Sequence, residues 1–383
     1  MLTELLVSLR ASDPVELTEG GSPARLVKMR TPSGMTVLKL LVDLPGAVDG
    51  HDLASFRVKI DQISKIRHEI PELGEVYTEL CDQFHGPNWS AYTMPFYANQ
   101  DIGTSLRAEN QASEQFWADM ELVLTGLISL GYLRADAPAP PGHIAAVHVD
   151  RLARRFWLLR KYLPASLTEP DMLTVNGVRC RNPLSLALVL RDSGLTAKID
   201  PARLYYPIHG DLNTRNILMT GGGYRIIDPR GTTDYWDPAY DMAKVLFSLT
   251  VWDAGLRRGF DIDSSGEWRV GIRSGPYRGY REAANSLLGR LRTMDAFAEL
   301  TAKDPGWESR YLLSHAFHLL AEAACRLSDI KKRASEADAH QIGPIELATG
   351  HYLFGVLFLE NAARQLETDG TIDHDSALGL VDA

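Results

Sequence analysis

The first hundred residues alternate short apolar runs with turn residues, a pattern typical of β-strands. Three of these runs predict an antiparallel meander, at residues 15–18, 25–30 and 35–42. Residues 51–69 then carry apolar side chains at helical spacing, which predicts a helix packed against the sheet. Two more runs, at 71–80 and 89–97, predict further strands. We therefore expect a five-stranded sheet at the start of the chain.

Beyond residue 113 the apolar positions recur every three or four residues, which predicts a mainly helical remainder. One such stripe, which we interpret as core, consists of Phe116, Met120, Leu124 and Leu127. Within this part, Asn176-Gly177 predicts the tight turn of a small hairpin. The sheet and the helices together predict an α+β fold.

Residues 205–244 interrupt the helical pattern with short strands and polar loops. A predicted strand is followed by His209-Gly210-Asp211, in which the glycine allows the backbone to turn. Two more short strands flank Gly221-Gly222-Gly223, which predicts a tight hairpin. Such a hairpin brings Asn216, just before its first strand, close to Asp228, just after its second.

These polar residues suit the binding of a hard cation. Asn216 and Asp228 offer oxygen ligands from two adjacent elements, and Asp211 is expected to face the same cleft. A site with so few protein carboxylates suits Mg²⁺ that arrives with phosphate groups rather than in a closed protein cage.

The ordered motifs of this stretch are HGDLNTRNIL, IIDPRG and DPAYDMA. They resemble the catalytic segment of the aminoglycoside phosphotransferase and choline kinase group, which are relatives of the protein kinases. The resemblance implies that Asp211 is the catalytic residue and that Asn216 and Asp228 are metal ligands. It also implies that His209 and Asp241 give structural support to the catalytic loop.

The resemblance extends to residues that would bind the nucleotide phosphates. It implies that Lys39, in the third predicted strand, contacts the phosphates. A carboxylate on the following helix would pair with this lysine, and Asp61 is the acid well inside that helix; a solvated Asp61 is an equal alternative. Gly20 and Gly21 would lie over the phosphates, or they form an ordinary hairpin turn.

The adenine and acceptor contacts are less sharply marked in the sequence. The resemblance implies that adenine lies against residues 92–97, where Pro95 has no N–H, so that Met94 and Phe96 would make the contacts. Arg215 and Arg230 would contact the transferred phosphate or an anionic acceptor, or each forms a structural ion pair. Trp236 would be an aromatic platform for the acceptor, or it packs in the core.

Composition limits the possible partners and compartment. The net charge of -9 argues against a nucleic-acid footprint. Three scattered cysteines without a C-x-x-C pair argue against a disulfide framework or a zinc site, and they suit a reducing cytoplasm. The N-terminus is unlike a signal peptide, and the longest apolar run is too short to span a bilayer, so we expect no membrane partner. The oligomeric state stays open.

The resemblance therefore implies a two-lobed, protein-kinase-like α+β fold. We expect a nucleotide-binding lobe at residues 1–96 and a mainly helical catalytic and substrate lobe at 97–383. The implied activity is ATP- and Mg²⁺-dependent transfer of the γ-phosphoryl group to a hydroxyl of a sugar-like, aminoglycoside or other secondary-metabolite acceptor. The alternatives are a nucleotide-binding pseudokinase and nucleotidyl transfer on the same fold.

Overall fold

The computed structural model describes residues 1–17, 24–43, 52–98, 100–273, 277–328 and 343–379. Its strands are β1 Ser12–Leu17, β2 Arg25–Thr31, β3 Gly34–Val42, β4 Asp82–Gly86, β5 Trp89–Pro95, β6 Ala135–Pro138, β7 Met172–Val175, β8 Val178–Arg181, β9 Arg203–Tyr206, β10 Ile217–Thr220, β11 Gly223–Ile226, β12 Phe260–Asp263 and β13 Arg269–Ile272.

Its α-helices are α1 Leu2–Ser8, α2 Leu53–Glu69, α3 Pro71–Gly74, α4 Thr104–Glu109, α5 Glu114–Leu130, α6 Asp150–Tyr162, α7 Ala165–Thr168, α8 Pro183–Asp192, α9 Leu195–Lys198, α10 Ala239–Phe247, α11 Asp253–Arg258, α12 Arg278–Arg292, α13 Asp295–Thr301, α14 Trp307–Ser328, α15 Pro344–Thr368 and α16 His374–Leu378. Short 3₁₀ or π turns occur at Tyr132–Arg134, Ala145–Val149, Thr214–Asn216 and Ser248–Trp252.

The chain forms two compact units. The first contains Met1–Asp101, His209–Asp211 and Asn216–Asp234. The second contains Ile102–Ile208, Leu212–Arg215 and Tyr235–Ala383. The predicted lobes, 1–96 and 97–383, stay a prediction.

The first unit contains a five-stranded antiparallel sheet with the order β1-β2-β3-β5-β4. The predicted sheet at the start of the chain, followed by a mainly helical remainder, is confirmed, and so is the α+β class. The prediction of a strand at 71–80 is wrong. Pro71 instead begins the short helix α3, because proline fits the first turn of a helix, where no N–H is needed, and the fourth strand begins at Asp82.

Both faces of this sheet are covered. Along β3, Val37 and Leu41 belong to one apolar cluster with Phe56 and Ile60 of α2. Leu38 and Leu40 belong to a second cluster, which contains Leu5 of α1. Because side chains alternate along a strand, Lys39 lies on the same face as Val37 and Leu41, the face that α2 covers. Each fully buried aliphatic side chain of this kind stabilises the fold by about 1.5–3 kcal/mol.

The predicted glycine hairpin is confirmed and belongs to the first unit. Ile217 pairs with Ile226, and Thr220 pairs with Gly223, which leaves Gly221-Gly222 as the turn. On its outer side, the Ile226 N–H donates to the carbonyl of Val76 at 2.7 Å, and the Ile226 carbonyl accepts from the Thr78 N–H at 3.0 Å. The hairpin is therefore anchored to the segment that precedes β4.

The second unit is mainly helical, with small two-stranded ribbons. The ribbon of β7 and β8 turns at Asn176-Gly177, as predicted. Among the described residues, one stretch, Glu114–Arg134, is long and apolar enough to cross a membrane by length and composition alone. Half of its most apolar window is buried inside the structure, and the predicted stripe of α5 is buried throughout. We interpret α5 as a core helix.

Candidate active site

Two loops of the first unit meet at His209. The Arg230 N–H donates to the carbonyl of His209 at 2.9 Å. The His209 ring bonds in both directions: its Nδ1 accepts the Asp211 N–H at 3.2 Å, and its Nε2 lies 2.9 Å from the Ile227 carbonyl. Since Nδ1 accepts, Nε2 carries the proton and donates. The buried imidazole therefore joins the loop that ends at Asp211 to the loop that contains Asp228.

Gly210 makes this close approach possible. Its φ angle is +79°, a region that side chains other than glycine rarely adopt. A Cβ atom at this position would lie 2.6 Å from the Cβ of Arg230. Any larger residue would therefore separate the two loops, which explains the glycine between His209 and Asp211.

Asn216 links both loops at the start of the glycine hairpin. Its Nδ2 donates to the backbone carbonyl of Asp211 at 2.8 Å and lies 3.5 Å from the Asp211 Oδ2. Its own carbonyl accepts the Ile227 N–H at 3.0 Å. Its amide oxygen has no hydrogen-bond partner in the described part of the chain. The neutral oxygen of Asn216 therefore remains available to a ligand beside Asp211.

Asp228 lies at the centre of a small charge cluster. Its backbone adopts a left-handed conformation, φ +53°, which aspartate tolerates better than most residues. Its Oδ1 contacts the Nζ of Lys39 at 2.7 Å and the Nζ of Lys59 at 3.0 Å. The exposed fractions of the three side chains are 22% for Asp228, 5% for Lys39 and 11% for Lys59.

These two lysines set the charge of Asp228. Burial alone would raise the pKa of this carboxyl group, but the neighbouring ammonium groups of Lys39 and Lys59 outweigh burial and hold the pKa far below its ordinary value. Asp228 is therefore a carboxylate, which is the form that accepts hydrogen bonds and binds cations.

Helix α2 lies directly against the Asp228 loop. Gly231 has a φ of +89°, and a Cβ there would lie 2.7 Å from the carbonyl oxygen of Ser55. The buried Gln62 accepts the N–H groups of Gly231 and Thr232 at 2.9 and 3.0 Å. Lys59, one turn earlier on α2, reaches Asp228 from the same side. These contacts hold the helix and the loop together.

The sequence interpretation missed Lys59 and Gln62. Lys59 lies three residues after the buried Phe56, and the buried Gln62 lies three residues after Lys59, so both continue the inner face of the helix. A lysine and a glutamine on the apolar side of α2 are the signal that could have found them. Helical lysines are normally solvated, which is why the signal is weak.

The structure distinguishes the two alternatives for Asp61, a partner of Lys39 or a solvated side chain. The Asp61 side chain is exposed, and the ion-pair partner of Lys39 is Asp228. Of the two alternatives, the solvated Asp61 is the one that the structure contains. Gly20 and Gly21 lie outside the described residues.

The predicted adenine-contact residues lie at the end of β5, an inner strand of the sheet, and directly after it. Met94 is buried in β5 opposite Val37. The Phe96 N–H donates to the carbonyl of Met35 at 2.8 Å. This N–H is committed to the sheet, so the expectation that it holds the adenine needs correction. The Phe96 ring packs on the α2 side of the sheet, under the Nζ of Lys28.

Of the two arginines, Arg215 belongs to the second unit and forms an ion pair there. Its Nε donates to the buried Asp253 at 2.6 Å. Burial would raise the pKa of Asp253, but Arg215 and Arg257 outweigh it and lower that pKa. For Arg215 the ion-pair alternative therefore holds in this structure. Arg230 belongs to the first unit, with its stem against Gly210.

Trp236 and Asp241 both lie in the second unit. The half-buried Trp236 ring packs edge-on against His143 and Tyr240, with centroid distances of 5.7 and 6.0 Å, which is core packing. Asp241 is fully buried in α10 and accepts the hydroxyl of Tyr132 at 2.8 Å.

The first unit thus brings together Asp211, Asn216, Asp228 and Lys39, with His209 between the loops. No group of three or more His, Cys, Asp or Glu side chains in the described ranges is arranged to hold a metal by itself. Asp228 and Asn216 nevertheless form a set of hard oxygen donors, one charged and one neutral. This set fits Mg²⁺ that obtains its other ligands from phosphate and water.

No protein-family model matches the sequence, and no curated protein matches it either. Among solved structures, the chain is similar to a choline kinase from Cryptosporidium parvum Iowa II, at 11% identity and a TM-score of 0.44, with 96% of this chain and 93% of that chain covered. It is also similar to an aminoglycoside-3'-phosphotransferase of type VIII, at 15% identity and a TM-score of 0.44, with 85% of this chain and 97% of that chain covered.

Proposed function

We propose that this protein is an ATP-dependent kinase that transfers the γ-phosphoryl group to a hydroxyl of a small molecule. One observation carries the proposal: a single hydrogen-bond network in the first unit joins Asp211, Asn216 and the loop of Asp228, whose carboxylate pairs with Lys39. These are the four residues that the motif resemblance assigns to phosphoryl transfer. Their convergence supports the activity more strongly than any one motif.

Asp211 orients the acceptor hydroxyl and accepts its proton. General-base catalysis of this kind contributes about 10²- to 10⁴-fold. A carboxylate is a weak base towards an alcohol, so the position of the acceptor oxygen matters as much as proton removal. His209 and Asn216 supply that precision, because one bonds the main-chain N–H of Asp211 and the other bonds its carbonyl.

Asp228 and Asn216 would hold the metal, and Lys39 would neutralise phosphate oxygens. Mg²⁺ bound there would reduce the charge on the nucleotide phosphates and align them for transfer. Lys39 holds its ammonium group within reach of the same place, because β3 directs it to the face that carries α2.

We propose a sugar-like, aminoglycoside or other secondary-metabolite acceptor and a cytoplasmic location. The segment Asp228-Pro229-Arg230-Gly231 is similar to sequences of carbohydrate and secondary-metabolite kinases. Proline fixes the backbone after the metal ligand, and Gln62 accepts the N–H groups of Gly231 and Thr232. A regulatory loop of the protein-kinase kind does not fit so firmly held a segment.

A pseudokinase is the second candidate, because the helix acid expected beside Lys39 is absent and Asp61 is exposed. Slow ATP hydrolysis that disappears in Asp211→Ala would remove this candidate. Nucleotidyl transfer would release pyrophosphate rather than ADP, so the product distinguishes it from phosphoryl transfer.

The test is a screen for ADP release with aminoglycosides, sugars, nucleosides and amino alcohols as acceptors. We expect at least one class to raise ADP release well above the acceptor-free rate. Asp228→Ala is the blank, and Asp192→Ala, which removes an exposed carboxylate from α8, is the matched control that keeps the wild-type rate. Acceptor-stimulated turnover that survives in Asp228→Ala would overturn the proposal.

A further inference from the structure

Two lysines share the single carboxylate of Asp228, although the sequence motifs account for one of them. Lys39 comes from β3 and Lys59 from α2, and both Nζ atoms bind the same oxygen, Oδ1. Asp228 is the ion-pair partner of both lysines in the described part of the chain. The cluster therefore carries one positive charge more than its carboxylate neutralises.

A buried excess positive charge lowers the stability of the fold unless an anion compensates it. Both ammonium groups are nearly inaccessible, at 5% and 11% exposure, so bulk water and salt screen them only weakly. Asp61, the acid well inside α2, is exposed, and both lysines pair with Asp228 instead. Among the described residues, the two ammonium groups therefore share one paired carboxylate, and an anionic ligand would balance the remaining positive charge.

Lys59 is held beside Asp228 by contacts between α2 and the backbone of the Asp228 loop. Gly231 lets the Ser55 carbonyl approach closely, and the Lys59 stem packs against the same glycine. Gln62, three residues further on, bonds the two N–H groups that follow Arg230. Ser55 and Gln62, which precede and follow Lys59 on α2, thus both lie against the Asp228 loop. Lys59 therefore does not have the conformational freedom of a surface lysine.

We propose that Lys59 is a second polyphosphate-binding lysine, which acts with Lys39 on the phosphate oxygens of the nucleotide. This inference rests on the proposed function, because it needs a nucleotide at Asp228. A triphosphate brings several anionic oxygens, which supply the compensation that a single carboxylate does not. Helix α2 then contributes a phosphate contact in place of the carboxylate expected from it.

The test is equilibrium binding of adenosine, AMP, ADP, ATP and inorganic tripolyphosphate with Mg²⁺ present. For the wild type we expect affinity to rise with the number of phosphates. We expect Lys59→Met to bind ATP and tripolyphosphate roughly 10- to 100-fold more weakly, because it loses one charge-assisted hydrogen bond. Its affinity for adenosine should be unchanged. Lys59→Arg, which keeps the charge, should retain most of the ATP affinity.

Lys65→Met is the matched control, because it makes the same change six residues further along α2. Circular dichroism and thermal unfolding establish that each variant is folded. Lys59→Met that binds ATP as tightly as Lys65→Met would overturn this inference and leave the proposed function intact. Tripolyphosphate binding that depends on Lys59 in a protein without phosphoryl transfer would support the inference and contradict the function. A wild type that binds none of the phosphates would overturn both.

Discussion

Asp228 combines a left-handed backbone with two ammonium contacts, so it is both strained and strongly stabilised. Conformations of this kind persist only where the surroundings enforce them, and they concentrate at functional sites. Here the enforcing contacts are the bonds of His209 and Gln62 to the neighbouring backbone. The proposed metal ligand is thus held by the local fold on both sides of its backbone.

The charge of Asp228 should appear in the stability of the protein. Asp228→Asn keeps the tolerance for a left-handed backbone but leaves two buried lysines without their carboxylate. We expect the free energy of unfolding at pH 7 to fall by about 1–3 kcal/mol, as for a buried charged group that loses its partner. Urea unfolding of the wild type and the variant measures this difference.

The difference in stability between wild type and Asp228→Asn should depend on pH. The pKa of Asp228 is lower in the folded protein than in the unfolded chain, where it is near ~3.9. The stabilisation is therefore complete above that value and is lost as the pH falls towards the folded pKa. The difference between wild type and Asp228→Asn should be constant from pH 7 to about 5 and shrink below pH 4. A difference that grows on acidification would contradict the assignment.

Motif residues could be predicted from sequence because their spacing is fixed by a short hairpin. Asn216 and Asp228 meet as soon as Ile217 pairs with Ile226. Lys59 could not be predicted in the same way, because its role depends on how α2 docks, which involves a segment about 170 residues away, as the Lys59–Asp228 bond shows. Phe96 is the opposite case. The resemblance implied that its N–H contacts adenine, but this N–H donates to the Met35 carbonyl.

At the scale of elements, the contact of α2 with the Asp228 loop depends on one small residue. Gly231→Ala would place a Cβ 2.7 Å from the Ser55 carbonyl in a backbone conformation that alanine disfavours. We expect the free energy of unfolding to fall by about 1–3 kcal/mol and phosphate affinity to fall with it, because Lys59 moves with α2. Urea unfolding and ATP titration measure the two effects.

Gly222→Ala is the control for this substitution. Gly222 lies in the turn of the glycine hairpin, where an added Cβ meets nothing within 4 Å. Its effect on stability should stay within about 0.5 kcal/mol, as for surface positions in general. An equal fall in the free energy of unfolding of the two variants would mean that the contact of α2 with the loop does not stabilise the fold.

The elements themselves were predictable to different degrees. Short apolar runs identified the meander and the strand that became β5, and helical spacing of apolar residues identified α2. The segment at 71–80 was harder, because its apolar residues fit either period and Pro71 begins a helical turn as readily as it ends a strand. The hairpin at Asn176-Gly177 was predicted readily, because Asn-Gly is strongly preferred in two-residue hairpin turns.

At the scale of the whole molecule, the second unit buries several histidines. Burial lowers the pKa of His315 to about 3 and that of His351 to about 4. His315 bonds Thr250, His351 bonds the Leu347 carbonyl, and both rings pack against phenylalanine. His315 and His318, which share a spacing that metal sites use, therefore serve as core residues in this structure.

These histidines predict a second, separate pH window for stability. Their folded pKa values lie below the unfolded value of 6.5, so unfolding takes up protons as the pH falls from about 6.5 to 4. We expect stability to decline in that range by up to about 1.4 kcal/mol per pH unit for each histidine. Urea unfolding of His351→Gln should show a shallower decline than wild type. An identical slope would contradict neutral burial of His351.

We propose that Asp211 catalyses phosphoryl transfer beside a site that would hold the magnesium nucleotide. The most direct measurement is the rate of acceptor-dependent ADP formation in wild type and Asp211→Asn, with ATP affinity measured on the same samples. We expect the variant to be about 10²- to 10⁴-fold slower while its ATP affinity stays within about threefold of wild type. Equal rates in the two proteins would contradict a catalytic role of Asp211.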